Sequence, residues 1–324
     1  MIVPSLTASF PAFGSTITLT GVGVAFNEFR AGVEEVRRLS DDWDQQFSRF
    51  RADSLLTKVN TSHAPVDVTH DFIEVLDAAL DGALKTDGRF DPAILPALNA
   101  AGYRHDFERI RGRPAIISAP VPSPGSRKLM QINIDREAQT VLLPLGIQLD
   151  FGGIAKGAFA DRIASRLEEW PGGCIDVGGD LRVWGEAPDG PRWRVGVEHP
   201  CSTELDIRSV EIASKAASGV ATSGVNRRHW ETTGGQPVNH LIDPRTGRSV
   251  SGSPQSVTVF AQTATDAEVA ATSALIAASR LEPITIVEFA LAIVVWDDKT
   301  IDIIKGRHLD AAFIATPASH SQSA

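Results

Sequence analysis

The chain has 324 residues, 43% of them hydrophobic and 22% charged, which is enough to bury a substantial core in one large domain or two closely packed lobes. A formal net charge of -9 and a pI near 5.4 argue against a nucleic-acid surface or an anionic membrane as partner, because both need clustered Lys and Arg. A bound anion would need local donors or a metal.

The N-terminal stretch "MIVPSLTASFPAFGSTITLT" has no Lys or Arg before Arg30, so it lacks the basic start of an export signal. The chain as given therefore reads as soluble and cytoplasmic; an extracytoplasmic protein would need a signal preceding this sequence. An amphipathic helix is expected from about Asn27 to Phe50, with Phe26, Val33, Val36, Leu39 and Trp43 on one face. A second helix is expected near 70–86. The stretch "DGRFDPAILPALNAAGY" then breaks regularity at Gly88, Pro92 and Pro96, and the Pro- and Ser-rich run 113–128 is the best candidate for a connection between lobes.

Residues 149–161 read "LDFGGIAKGAFAD". A β-branched run precedes them, and Phe159, Ile163 and Leu167 recur every four residues after them, so the stretch reads as strand, glycine turn and helix. The first turn of a helix offers unpaired N–H groups and a partial positive charge to an anion. The spacing fits neither GxxxxGK[ST] nor GxGxxG. Two readings stay open: a phosphate site, or glycines that allow close strand–helix packing beside a solvated Lys156.

Downstream, "GGCIDVGGDLRVWG" is a strand ending at Gly178 and Gly179 before Asp180, and "GVATSG" holds Ser223 in another small, turn-forming segment. Cys174 lies in a strand-like apolar stretch, and with Cys201 it could form one bridge at most, so neither a disulfide framework nor a zinc site is expected. The run "FALAIVVW" at 289–296 is far shorter than the roughly 20 residues that cross a bilayer and reads as a buried strand. Strands joined by tight turns, with helices early and again at 265–280, give an α+β class with largely antiparallel sheet. A disordered tail is expected over 316–324, following a single domain over 1–315.

Two motifs admit chemistry. "HLIDPRTG" at 240–247 is a β-turn closing a hairpin, or a turn that places His240 as a base or phosphate ligand. In "TDAEVAATSALIAAS", Thr265 and Glu268 have capping-box spacing, so Glu268 could serve a backbone N–H at the helix start. Alternatively, Glu268 and Thr272 share one helical face and offer a carboxylate and a hydroxyl to a hard cation such as Mg²⁺.

Taken in order, "FSRFRADSLLTKVN", "GRFDPAILPAL", "LDFGGIAKGAFAD", "DVGGDLRVWG", "VATSG", "HLIDPRTG" and "SVTVFAQTATDAEVAAT" resemble the motifs of the FAD:protein FMN transferase family, the ApbE-like flavin transferases, over about Phe13 to Ile276. The resemblance implies a two-lobed fold and a Mg²⁺-dependent transferase that cleaves FAD and attaches FMN, through a phosphoester, to a Thr or Ser of an acceptor protein. It implies FAD contacts for Phe13 and Phe50, where the family often has Met and Tyr, and for Asp91, Pro92 and Ala93, the last replacing a usual Thr. It extends those contacts to Asp150, Lys156, Gly178, Gly179, Asp180, Ser223, His240 and Ile242. For Mg²⁺ it implies the Gly153 carbonyl, Thr272, and Glu268 in place of the family Asp; for catalysis it implies His240 as base. An FAD pyrophosphatase releasing FMN and AMP, and a non-catalytic FAD-binding protein, are the alternatives.

Overall fold

The computed structural model describes residues 3–200, 202–213, 218–284, 289–306 and 313–317. Cys201 and residues 318–324 of the expected tail lie outside them, whereas Thr316 and Pro317 end a strand, Phe313–Pro317.

An eight-stranded sheet, antiparallel throughout, organises the chain. Its order is Ser5–Ala12, Ser15–Val22, Gly172–Val177, Asp180–Gly185, Ser218–Gly224, Ser256–Ala261, Phe289–Val295 and Ile301–Lys305. Side chains alternate across a strand, and here both faces are used. Ala221, Val257, Val259, Ala292 and Val294 pack under the helix Ala264–Ser279. Val220, Phe260, Leu291 and Ile293 face the other way, onto Trp193, Val195, Val210 and Ile212. These last four belong to Arg192–His199 and Ser202–Ala213, which form a small sheet with Phe313–Pro317. Such two-sided burial explains why the central strands read as continuous apolar runs.

The helices lie where periodicity puts them. The first, Phe26–Phe47, buries Phe29, Val33, Val36, Ser40, Trp43 and Phe47 at spacings of three and four and stops short of Phe50. The second is His70–Lys85. In the Ala264–Ser279 helix twelve of sixteen residues are buried, so it is apolar nearly all round and sits inside the protein rather than along its surface. Residues 113–128 contain an exposed stretch with Ile116 and Ile117, pinned by an isolated bridge from Ala115 to Thr232 and a hydrogen bond from Ser123 N to the Pro244 carbonyl.

The helix Ala155–Arg166 crosses against Ala264–Ser279 at Gly157. A Cβ there would lie 2.6 Å from the Ala264 carbonyl oxygen, so only glycine fits. We expect Gly157→Ala to destabilise the protein by about 1–3 kcal/mol through overpacking. Urea denaturation checks this; a midpoint equal to that of the unsubstituted chain would show that the two helices part without cost.

Candidate active site

A cleft of about 1020 Å³ is lined by residues of the large sheet, of the strand Arg192–His199, and of the helices Phe26–Phe47, Ala155–Arg166 and Ala264–Ser279. Its walls are drawn from segments far apart in sequence, and they include Phe13, Phe50, Asp91, Asp150, Gly153, Lys156, Gly178, Gly179, Asp180, Ser223, His240, Ile242, Glu268 and Thr272. The fold thus gathers all but two of the expected residues around one cavity. Pro92 and Ala93 stand behind the wall. The Pro92 carbonyl accepts from Asp150 N at 2.8 Å, and Ala93 N donates to the Asp91 carboxylate at 2.7 Å.

The charged centre is Lys156, in the first turn of its helix. Its ammonium is bonded to the Asp180 carboxylate and lies 3.5 Å from Glu268 Oε1. Asp180 and Glu268 are nearly fully buried. One lysine therefore serves two carboxylates. Burial disfavours the Lys156 charge, but the two carboxylates outweigh it and hold its pKa above the ordinary value. Burial pushes the Glu268 carboxyl up to about 8, against the pull of Lys156.

The capping role open to Glu268 does not occur. Thr263 is the N-cap of this helix, its hydroxyl accepting from Asp266 N at 3.0 Å and donating to Asp266 Oδ2 at 2.6 Å. Glu268 sits one turn further in and accepts from Gly157 N at 2.8 Å. Both Thr263-x-x-Asp266 and Thr265-x-x-Glu268 match the box pattern, and tertiary contacts choose between them: Thr265 Oγ1 donates to Asp161 at 2.6 Å.

Thr272, one turn beyond Glu268, shares a 3.0 Å hydrogen bond with Ser223 Oγ. A Cβ on Gly153 would stand 3.9 Å from Thr272 Oγ1, which brings that backbone beside the hydroxyl. The set Glu268, Thr272 and Gly153 is all oxygen, and a single lysine leaves the two buried carboxylates short of positive charge. This chemistry fits a hard cation with one protein carboxylate. Among the described residues no cluster of three or more His, Cys, Asp or Glu side chains is arranged to hold a metal.

His240 borders the cleft with its ring mostly buried. Nδ1 lies 3.3 Å from the Arg228 carbonyl; a carbonyl can only accept, so this bond puts the proton on Nδ1 and leaves the Nε2 lone pair free. Burial, with help from the charges of Arg228, Lys156 and Arg49, lowers its pKa to about 3, so the imidazole is neutral at physiological pH.

A second pole was not anticipated. Arg49 Nε pairs with Asp150 Oδ2 at 2.8 Å, with side chains 8% and 10% exposed, and Arg49 Nη1 donates to the Tyr103 carbonyl at 2.7 Å. The guanidinium carbon lies 4.1 Å from the Phe50 ring centroid and 4.4 Å from that of Tyr103. Asp150 also accepts from Gly152 N at 2.8 Å, so the carboxylate shapes the glycine turn rather than hanging free in the cleft. Phe13, at a positive φ of 55° in the turn between the first two strands, packs edge-on against Phe159 at 5.1 Å. At the neighbouring hairpin, Gly178 and Gly179 take positive φ and Gly179 N donates to Asp176 at 2.7 Å. Ser123 is bonded to Asp91, whose carboxyl is pushed up by burial.

Because the folded protein resists protonating His240 while the unfolded chain titrates near 6.5, the unfolded state binds the extra proton as pH falls from about 6.5 toward 3, and stability drops over that window. His240→Gln is expected to flatten this part of the stability–pH profile in urea titrations. Identical slopes for both proteins would mean that the ring titrates normally.

Comparison with known proteins fits this geometry. An FAD:protein FMN transferase of Salmonella typhimurium is 33% identical over 238 residues, covering 71% of this chain and 65% of that protein. One from Treponema pallidum is 29% identical over 324 residues, covering 89% of this chain and 84% of that protein. The crystal structure of an ApbE protein from Thermotoga maritima shares the fold with a TM-score of 0.78 at 23% identity, covering 95% of this chain and 99% of that one. The apo flavinyl transferase ApbE of Pseudomonas stutzeri superposes with a TM-score of 0.71 at 22% identity, covering 96% and 98%. The model of the ApbE family matches residues 13–285, a span that encloses the cleft residues from Phe13 to Thr272, and the chain belongs to that family.

Proposed function

We propose that this chain is a Mg²⁺-dependent FAD:protein FMN transferase. FAD occupies the cleft, a Thr or Ser hydroxyl of an acceptor protein attacks the FMN-side phosphorus, the pyrophosphate P–O bond breaks, and AMP leaves. The observation that carries this reading is Lys156 shared between two buried carboxylates on a cleft large enough for a dinucleotide. The curated relatives named for this activity support it.

Each residue has a definable task. Lys156, held charged by its two partners, presents a fixed cation to the phosphates without reorganising during the reaction. Glu268 and Thr272, with the Gly153 carbonyl, would hold the magnesium ion, which supplies charge neutralisation on the pyrophosphate when bound. Glu268 is longer than the Asp it replaces, yet its Oε2 is fixed by Gly157 N, which limits where the other oxygen can lie. Nε2 of neutral His240 accepts the proton of the attacking hydroxyl. Burial, with the nearby charges of Arg228, Lys156 and Arg49, keeps that nitrogen a weak base, and an anionic substrate beside those cations offsets their share. Phe50 and Phe13 offer apolar walls for the ring systems, and the Arg49–Asp150 pair stiffens the one beside Phe50. Positioning of two substrates, rather than covalent work, is the main contribution.

Incubation with FAD and Mg²⁺, with and without Thr- or Ser-containing acceptor peptides, tests the reading by mass analysis. A peptide gaining FMN, with AMP released, supports it. FMN and AMP without a modified peptide would mark a pyrophosphatase, and intact FAD a binding protein.

Two further outcomes are expected. FAD should bind more tightly than riboflavin in a fluorescence titration, because the cleft joins aromatic walls to a phosphate-sized charged centre; equal affinities would remove the phosphate site. Glu268→Gln keeps an acceptor for Gly157 N but can no longer ionise to hold a cation, so it should raise the Mg²⁺ needed for half-maximal turnover by about tenfold or more while changing the urea midpoint little. Glu268→Asp should retain activity. An unaltered Mg²⁺ requirement in Glu268→Gln would move the metal elsewhere.

A further inference from the structure

The three charged residues at the centre come from three elements: Lys156 from Ala155–Arg166, Asp180 from Asp180–Gly185, and Glu268 from Ala264–Ser279. One partly buried side chain outside the cleft joins all three elements. Asp161 lies one turn after Gly157 on the same helical face. Its Oδ1 accepts from Ala264 N at 2.9 Å, and its Oδ2 from Thr265 N at 2.8 Å and Thr265 Oγ1 at 2.6 Å. Arg182, two residues after Asp180, brings Nε to 3.3 Å from Asp161 Oδ1 and bonds the Gln262 carbonyl through Nη1.

The start of the Ala264–Ser279 helix is therefore capped twice. Thr263 caps it locally, which would suffice for helix stability. The second cap comes from another helix and takes the orphan N–H groups of Ala264 and Thr265. A local cap fixes nothing about where the helix lies relative to Lys156. An external carboxylate that spans two successive N–H groups does.

We propose that Asp161 is a positioning residue: it sets the height of the Ala264–Ser279 helix against Lys156 and Gly157, and so fixes Glu268 and Thr272 for the cation. This rests on the metal site proposed above. Asp161 does not border the cleft and touches no reacting atom. With the carboxylate replaced by an amide, one end of the side chain becomes a donor facing donors, and the helix is free to shift along its neighbour.

The test is Mn²⁺ binding followed by electron paramagnetic resonance, without FAD or turnover, on the full chain. Asp161→Asn should bind Mn²⁺ about tenfold more weakly, and Asp161→Glu should recover part of the loss. Thr263→Ala, which removes only the local cap, should lower the melting temperature while leaving Mn²⁺ affinity within about twofold. If Asp161→Asn fails to fold, Thr265→Val, which deletes a single hydroxyl bond to the carboxylate, should still weaken Mn²⁺ more than Thr263→Ala does. Wild-type affinity in Asp161→Asn, or equal weakening by Thr263→Ala, would overturn the positioning role. Glu268→Gln separates the two ideas: if the unsubstituted chain binds Mn²⁺ and Glu268→Gln binds it equally, the metal-site reading fails, whatever Asp161 does.

Discussion

The contact between Gly157 and the first turns of the Ala264–Ser279 helix determines the rest of the site. The Ala264 carbonyl leaves no room for a side chain at 157, and the amide of that same glycine holds Glu268. Close approach and carboxylate placement are thus a single requirement. Lys156 is adjacent in sequence, so the helix that delivers the amide also delivers the ammonium. Had a larger residue stood at 157, the helices would separate, Glu268 would lose its donor, and Lys156 would face Asp180 alone.

The electrostatics follow from that geometry. Two carboxylates buried with one lysine cannot both be comfortable as anions, and the strain appears at Glu268, whose pKa rises, rather than at Lys156, which stays charged. Elsewhere on the cleft wall Arg49 and Asp150 match one for one beside Phe50 and Tyr103. The cavity therefore has one charge pair that is neutral in itself and one cluster still short of positive charge. Carboxylates in excess attract a cation and disfavour an anion, so a ligand with an apolar planar head and an anionic middle suits the cavity only together with a cation.

Much of the fold was legible because burial writes itself into periodicity. The helices Phe26–Phe47 and His70–Lys85 follow their apolar stripes, and the run at 289–295 is a strand covered on both sides. The helix expected at 265–280 runs over 264–279 with Thr263 as its cap rather than Thr265, since two overlapping capping patterns are equivalent locally and only Asp161 and Gly157, about a hundred residues earlier, distinguish them. Arg49 was invisible for the same reason: nothing near it in sequence announces Asp150 as a partner. Pro92 and Ala93 belong to a cleft motif whose Arg89, Phe90, Asp91 and Ile94 line the cavity, but they do not: the Pro92 carbonyl braces Asp150 and Ala93 N holds the Asp91 carboxylate. Motifs mark the neighbourhood of a site; which side chain faces inward is a tertiary fact.

The sequence separation of these contacts also has a bearing on synthesis at the ribosome. Lys156 and Asp180 emerge long before Glu268, and the sheet that backs them is completed only by the strands Ser256–Ala261 and Phe289–Val295. Non-local contacts of this kind form late, after the loop entropy between them has been overcome. A nascent chain that has extended through the Asp180–Gly185 strand still lacks Glu268 and Thr272, so that wall of the cleft arrives only after about 80 further residues. The order of translation thereby delays the charged centre until the Ala264–Ser279 helix has been made; a shorter nascent chain holds Lys156 and Asp180 without their third partner.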